Sequence, residues 1–200
     1  MEARFADLKK VPKEPAARLL AMANARLRTP LKARPAAPVS EVLAELEAAE
    51  AWIDMLRLLS VALPARERTW WACLAARDLL PPDVQRLPPP LAAAEAWVFK
   101  PGDETRAAAR AALESAEADD DTTLCATTVV FCDGTLGPGD LAQHAAPPGA
   151  AQAAAFGMNL MSLGKAGTDL GAEANRLIDR ALDIARGGNG RTGKKPEDQA

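Results

Sequence analysis

Tyrosine is missing from this chain altogether, and its 200 residues include one His, three Cys, four Trp and four Phe. With so few side chains of the kind that carry nucleophilic, acid–base or metal chemistry, the range of reactions open to it is narrow. An odd cysteine count excludes a disulfide framework and fits a reducing compartment. Cys125 and Cys132 lie seven residues apart, which on a continuous helix puts them on one face but ~10 Å apart along the axis, too far to bridge. All three cysteines therefore read as buried structural thiols. No apolar run approaches the ~20 residues that a membrane-spanning helix needs. The opening MEARFADLKK carries Glu2 and Asp7 and has no apolar core, so it does not read as a secretory signal, and the cytoplasm is the expected location.

Alanine and proline are abundant instead: 45 and 16 residues. Alanine is the best helix former, and proline is tolerated mainly in loops and first turns. The mix predicts an all-α protein, a compact array or bundle of about eight short helices with proline-rich connections. A hydrophobic fraction made largely of Ala buries little area per residue, so Leu, Ile, Val, Met and Trp must supply the core, which is expected to be thin with closely spaced helices. A Leu-Pro pair precedes a Trp-containing helix at Leu63-Pro64 and again at Leu87-Pro88, hinting at duplicated helical hairpins.

The net charge of −3 is unevenly spread: residues 1–37 carry a balance of +6, leaving −9 for the rest. Three segments follow from this. Residues 1–37 form a basic N-terminal arm with a short helix (Pro15 to Arg28) and a Pro-rich linker, 38–188 an all-helical domain, and 189–200 a Gly-rich charged tail expected to be disordered. The arm can bind phosphates or another acidic surface, or lie on its own acidic body; it lacks aromatic interleaving and any nucleic-acid motif, so nucleic acid is not the expected partner.

Within the domain, Val42, Leu46, Ala49, Ile53, Leu56, Ser60 and Leu63 recur at helical spacing, predicting one amphipathic helix over 40–63, capped by Ser40 and ended by Pro64. Pro64 then opens a helix containing Trp70, Trp71, Cys73 and Leu74. LPPP at 87–90 opens the next, which Pro101-Gly102 close, and Asp103 caps an Ala-rich helix after it. Asp119, Asp120 and Asp121 read as N-terminal charges of a helix through LCATTVVF, since a local exposed run lacks the convergent oxygens a hard cation requires. Two more helices are expected over 150–163 and 170–186.

Few strings suggest chemistry. VVFCDGTL at 129–136 resembles the nucleophile loop of haloacid-dehalogenase-like phosphatases, but Phe131 stands where the nucleophilic Asp belongs, leaving a Gly turn. Nothing local orients His144 as a base for a cysteine or serine. No CxxC or HExxH spacing supports zinc, and GKAG (164–167) and GGNGRTGKK (187–195) lack the context of a phosphate loop. No catalytic residue, metal ligand or cofactor is assigned. Trp70 and Trp71 project about 100° apart, so one is expected in the core and the other against a neighbouring helix or a partner.

LPARERTWWACLAAR, AAEAWVFKPGDETRAAARAALESA, FCDGTLGP, PPGAAQAAAFGMNLMSL and LIDRALDIARGG, in that order, resemble an uncharacterised bacterial domain-of-unknown-function family, some members of which are encoded beside type VI secretion components. The resemblance covers about 40–188. It rests on Leu63-Pro64, Arg66-Glu67, Trp71, Trp97, Pro101, Glu104, Arg106, Gly134 and Ala185 to Gly188, none of which brings a catalytic role. Asp133 departs from the small residue usual there. The expected function is a non-enzymatic helical adaptor or accessory protein with protein partners, and the resemblance implies secretion-system components among them. Its candidate interaction residues are Trp70, Trp71, Trp97, Arg66, Glu67 and Arg106. A hydrolase or transferase using Cys132, Asp133 and His144 in the 131–144 loop is the alternative from another class, and a nucleic-acid or acidic-surface binder acting through the basic arm is a third. The sequence says nothing of oligomeric state.

Overall fold

The computed structural model describes residues 2–165 and 169–191. The predicted tail lies outside them from residue 192 onward, as do parts of GKAG and GGNGRTGKK. The described residues are all-α: α1 (Ala16–Met22), α2 (Val39–Ala48), α3 (Trp52–Ala62), α4 (Ala65–Leu79), α5 (Pro89–Phe99), α6 (Asp103–Glu114), α7 (Thr123–Val130), α8 (Ala150–Gly164) and α9 (Leu170–Arg186), with 3-10 turns at Glu2–Phe5 and Gly139–Gln143. The prolines act as expected of residues without an N–H: Pro64 and Pro88 stand at the N-caps of α4 and α5, where no intrahelical donor is needed. No described helix is long and apolar enough to cross a membrane.

Two hydrophobic clusters share α4 and α8 as their common wall. One gathers Leu43, Leu46, Met55, Leu56, Leu58, Leu59 and Trp71 with Leu177, Ile178 and Leu182 of α9, and it includes Phe5, Ala16, Leu20 and Ala37 from the N-terminal arm. The other packs Ala72, Cys73, Ala75 and Ala76 of α4 against Leu91, Ala94, Trp97, Ala109, Cys125, Val129, Ala155 and Met158. The thin, alanine-lined core expected from composition describes the second cluster; the first is built from large side chains. Small residues on one face of α4 bring α5, α7 and α8 close, while Trp71 and Leu74 fill the space toward α9.

The predicted helix over 40–63 is instead two helices. Glu50 takes a left-handed φ of +51°, and the Ala51 N–H closes α2 by donating to Leu46 O at 2.9 Å. The break rotates the buried stripe: Ile53 is left exposed, while Met55, Leu58 and Leu59 turn inward. Ser40 lies inside the first turn of α2 and makes no cap, Pro38 holding that position, and Asp103 is likewise the first residue of α6 after Gly102. The helix expected from Pro15 to Arg28 ends at Met22, where Asn24 turns left-handed and the Ala25 N–H donates to Leu20 O at 2.9 Å.

Acidic side chains of the body hold the arm down. Asp54, buried on α3, accepts the backbone N–H groups of Arg28 (2.8 Å) and Thr29 (2.7 Å) and the Thr29 hydroxyl (2.8 Å). Glu45 accepts the Lys32 and Ala33 N–H groups, and Arg4 reaches Glu47 and Asp179. Burial lowers the affinity of Arg4 for its proton, but bonds to Asp179 and Glu47 outweigh this and raise its pKa. Arg68, buried without a carboxylate partner among the described residues, donates to Leu63 O at 3.1 Å just past α3; desolvation lowers its pKa to about 10.

Candidate functional site

Residues three and four apart share a helix face, so the first turns of α4 present Arg66, Glu67 and Trp70 together. Arg66 donates through Nε to Val98 O at 2.6 Å, satisfying one of the carbonyls that the end of α5 leaves open. Glu67 accepts from Lys10 Nζ at 2.7 Å, and the arm is held in place there by the Lys10 N–H donating to Ala185 O at 2.9 Å. Trp70 is half-buried. Its Nε1 donates to Asn189 O at 2.7 Å, and its ring tilts by 60° against Phe99 with centroids 6.0 Å apart. The Arg191 guanidinium sits 5.7 Å from the Trp70 ring centroid, a cation–π contact.

A glycine-dependent return of the chain after α9 completes this arrangement. Gly187 is left-handed (φ +107°), and the Gly190 N–H donates to Asp183 Oδ2 at 2.8 Å. Gly190 has φ +71°, and a Cβ there would meet Ile184 Cδ1 at 2.7 Å, so glycine lets the returning chain come this close to α9. Four chain segments thereby enclose a cleft of about 290 Å³ with Trp70, Phe99 and Ile184 on its apolar walls and Lys10, Arg66, Glu67 and Arg191 around it. Phe99 is 70% exposed.

Three of the six candidate interaction residues, Arg66, Glu67 and Trp70, meet at this cleft. Trp71 is fully buried and donates from Nε1 to Leu177 O at 3.0 Å. Trp97 lies within the second cluster. Arg106 is buried and organises the end of α7: its guanidinium donates to Val130 O, to both carboxylate oxygens of Asp133 and to Thr135. Trp71, Trp97 and Arg106 thus hold helices together and offer no surface at the cleft. Phe99, Lys10 and Arg191 are part of it and were missed by the sequence reading. The available signal was a large aromatic at a helix end, directly before Lys100-Pro101-Gly102.

The residues of the alternative 131–144 site are placed differently. Burial pushes the Asp133 carboxyl up, but the Thr135 N–H and hydroxyl and the Arg106 guanidinium more than offset this and hold it below the usual carboxylate range. Cys132 is half-buried, and desolvation raises its thiol pKa despite nearby Arg106. Cys132 and Asp133 border a separate cleft of about 420 Å³ that His144 does not line; His144 is exposed, without a side-chain hydrogen bond among the described residues. Cys73 is pushed well up by burial and by its contact with Cys125. In the aspartate run, Asp120 accepts the N–H (2.8 Å) and hydroxyl (2.6 Å) of Thr122, forming the turn before α7. No three His, Cys, Asp or Glu side chains converge as metal ligands among the described residues.

No curated protein and no solved structure matches the chain. A family model does, over residues 42–185, a span that runs from α2 almost to the end of α9 and contains all of α3 to α8. Lys10 and Arg191 lie outside that span, whereas Arg66, Glu67, Trp70 and Phe99 lie inside it. The chain belongs to DUF6931, a family of unknown function.

Proposed function

We propose that the protein is a non-enzymatic helical adaptor that binds a protein partner through the Trp70–Phe99 cleft. The observation that carries this reading is Phe99, a large apolar side chain left 70% exposed and packed against a half-buried Trp beside arginines. Aromatic residues and arginine are the side chains enriched at the energetic centres of protein interfaces. The containment of Asp133 by Arg106 and the burial of Cys73 and Cys125 support a role in binding over one in nucleophilic chemistry. Bacterial origin and a type VI secretion component as partner are what the sequence resemblance adds to this proposal, and a cytoplasmic site of action is part of the same proposal.

Co-purification of the full chain with the type VI components encoded beside its relatives tests the reading. Retention by the wild type and loss in Phe99→Ala with an unchanged melting temperature is the expected result. Equal retention by both proteins, or by neither, overturns it.

A further inference from the structure

The cleft also carries a charge pattern, and from it we infer the chemistry of the occupant: an acidic peptide segment presenting one aliphatic or aromatic side chain. The inference rests on the adaptor reading for the site and goes beyond it in naming what binds there.

Three cations, Lys10, Arg66 and Arg191, surround the apolar walls, against one carboxylate, Glu67. Lys10 already neutralises Glu67 at 2.7 Å. Arg66 and Arg191 have no carboxylate partner among the described residues, and both are held at the cleft by other contacts. Arg66 is oriented by Val98 O, and Arg191 rests over the Trp70 ring. The local excess is therefore positive, on a chain whose residues beyond the arm carry a net −9. Oriented guanidinium groups favour carboxylates, which they bind through paired hydrogen bonds, and like-charged segments are repelled. Between them, Trp70, Phe99 and Ile184 leave about 290 Å³ of apolar-walled space, below or at the lower limit of small-ligand sites and suited to an inserted side chain. An extended or helical segment with acids flanking a Leu or Phe satisfies both features at once.

The test uses the 15N-labelled full chain and follows the Trp70 indole N–H resonance, assigned by its loss in Trp70→Phe. Three synthetic peptides serve as probes: one with Asp and Glu flanking a central Leu-Phe pair, one with Lys in place of the acids, and one with Ser in place of Leu-Phe. Only the first is expected to shift the resonance, with an affinity that falls as salt rises. Phe99→Ala and Arg191→Glu are each expected to weaken it by about tenfold or more, and Arg191→Glu to improve binding of the Lys peptide. Equal binding of the acidic and basic peptides, or binding of neither, overturns the inference. If residues 192–200 occupy the cleft, deleting them moves the Trp70 resonance without any peptide; a concentration-dependent dimer lost in Phe99→Ala identifies a second copy. Either result also overturns it. The two readings fail separately. Loss of co-purification in Phe99→Ala with no acidic-peptide binding leaves the adaptor and removes the acidic partner. Specific peptide binding with partner retention insensitive to Phe99→Ala does the reverse.

Discussion

Arg106 holds both carboxylate oxygens of Asp133, at 2.6 and 2.7 Å, from a position beneath the end of α7 where the guanidinium is almost fully buried and the carboxylate about half exposed. The same guanidinium donates to Val130 O at 3.0 and 2.6 Å, so one side chain closes the α7 terminus and fixes the loop that follows. Arg106→Met removes all of these donors at once. It is expected to cost about 2–3 kcal/mol in chemical denaturation, less than the 3–5 kcal/mol of a fully buried pair because Asp133 reaches water.

The same pair sets a pH dependence. The Asp133 pKa is lowered in the folded state, so its contribution is present above the unfolded value near 3.9 and is lost as pH falls through the lower folded value. Asp133→Asn lacks this ionisation. The stability difference between wild type and Asp133→Asn should therefore be constant above about pH 5 and shrink below about pH 4, as read from urea unfolding at a series of pH values.

Gly149 is the N-cap of α8 with φ +77°, and a Cβ there would lie 2.0 Å from Ala23 O. The obstacle is backbone of the arm and cannot swing aside. Gly149→Ala is expected to cost more than about 2 kcal/mol through strain and overlap together, lowering the melting temperature by roughly 4–8 °C for a chain of this length.

Asp54 tests whether the arm is fastened by the body's carboxylates. Asp54→Ala leaves the Arg28 and Thr29 N–H groups without their acceptor, at a cost of about 1–3 kcal/mol. Hydrogen exchange should rise at residues 28–33 with little change in α5 to α7, because those helices belong to the other cluster.

The buried Trp71 and the exposed Phe99 should respond oppositely. Trp71→Ala empties a fully buried site and orphans Leu177 O, with an expected cost of about 3–5 kcal/mol. Phe99→Ala, on an exposed side chain beside Trp70, should stay within about 0.5 kcal/mol of wild type and act on binding alone.

The helices themselves were readable because their causes are local. Alanine and leucine at helical spacing propagate each element, and Pro64, Pro88 and Pro101 mark boundaries that a missing N–H would impose in any context. The break between α2 and α3 was not readable. It depends on Glu50, an ordinary residue driven into the left-handed region by the packing of α3 across α2 and stabilised by the Ala51 to Leu46 hydrogen bond.

Part of the cleft was legible for the same reason. Arg66, Glu67 and Trp70 share a helix face whatever surrounds α4, since their spacing is a property of the helix. Which of the two tryptophans would be buried followed from no local rule: α9 lies against the Trp71 side and supplies Leu177 O as its acceptor. Lys10, Phe99 and Arg191 reach Trp70 from three distant stretches of chain. Their positions depend on the arm bonding to Ala185, on the length of α5 and on the left-handed glycines after α9. Backbone propensity and hydrophobic period act over a few residues and were sufficient to specify the all-α class. The charge and shape of the cleft arise from long-range packing, which no window along the chain contains.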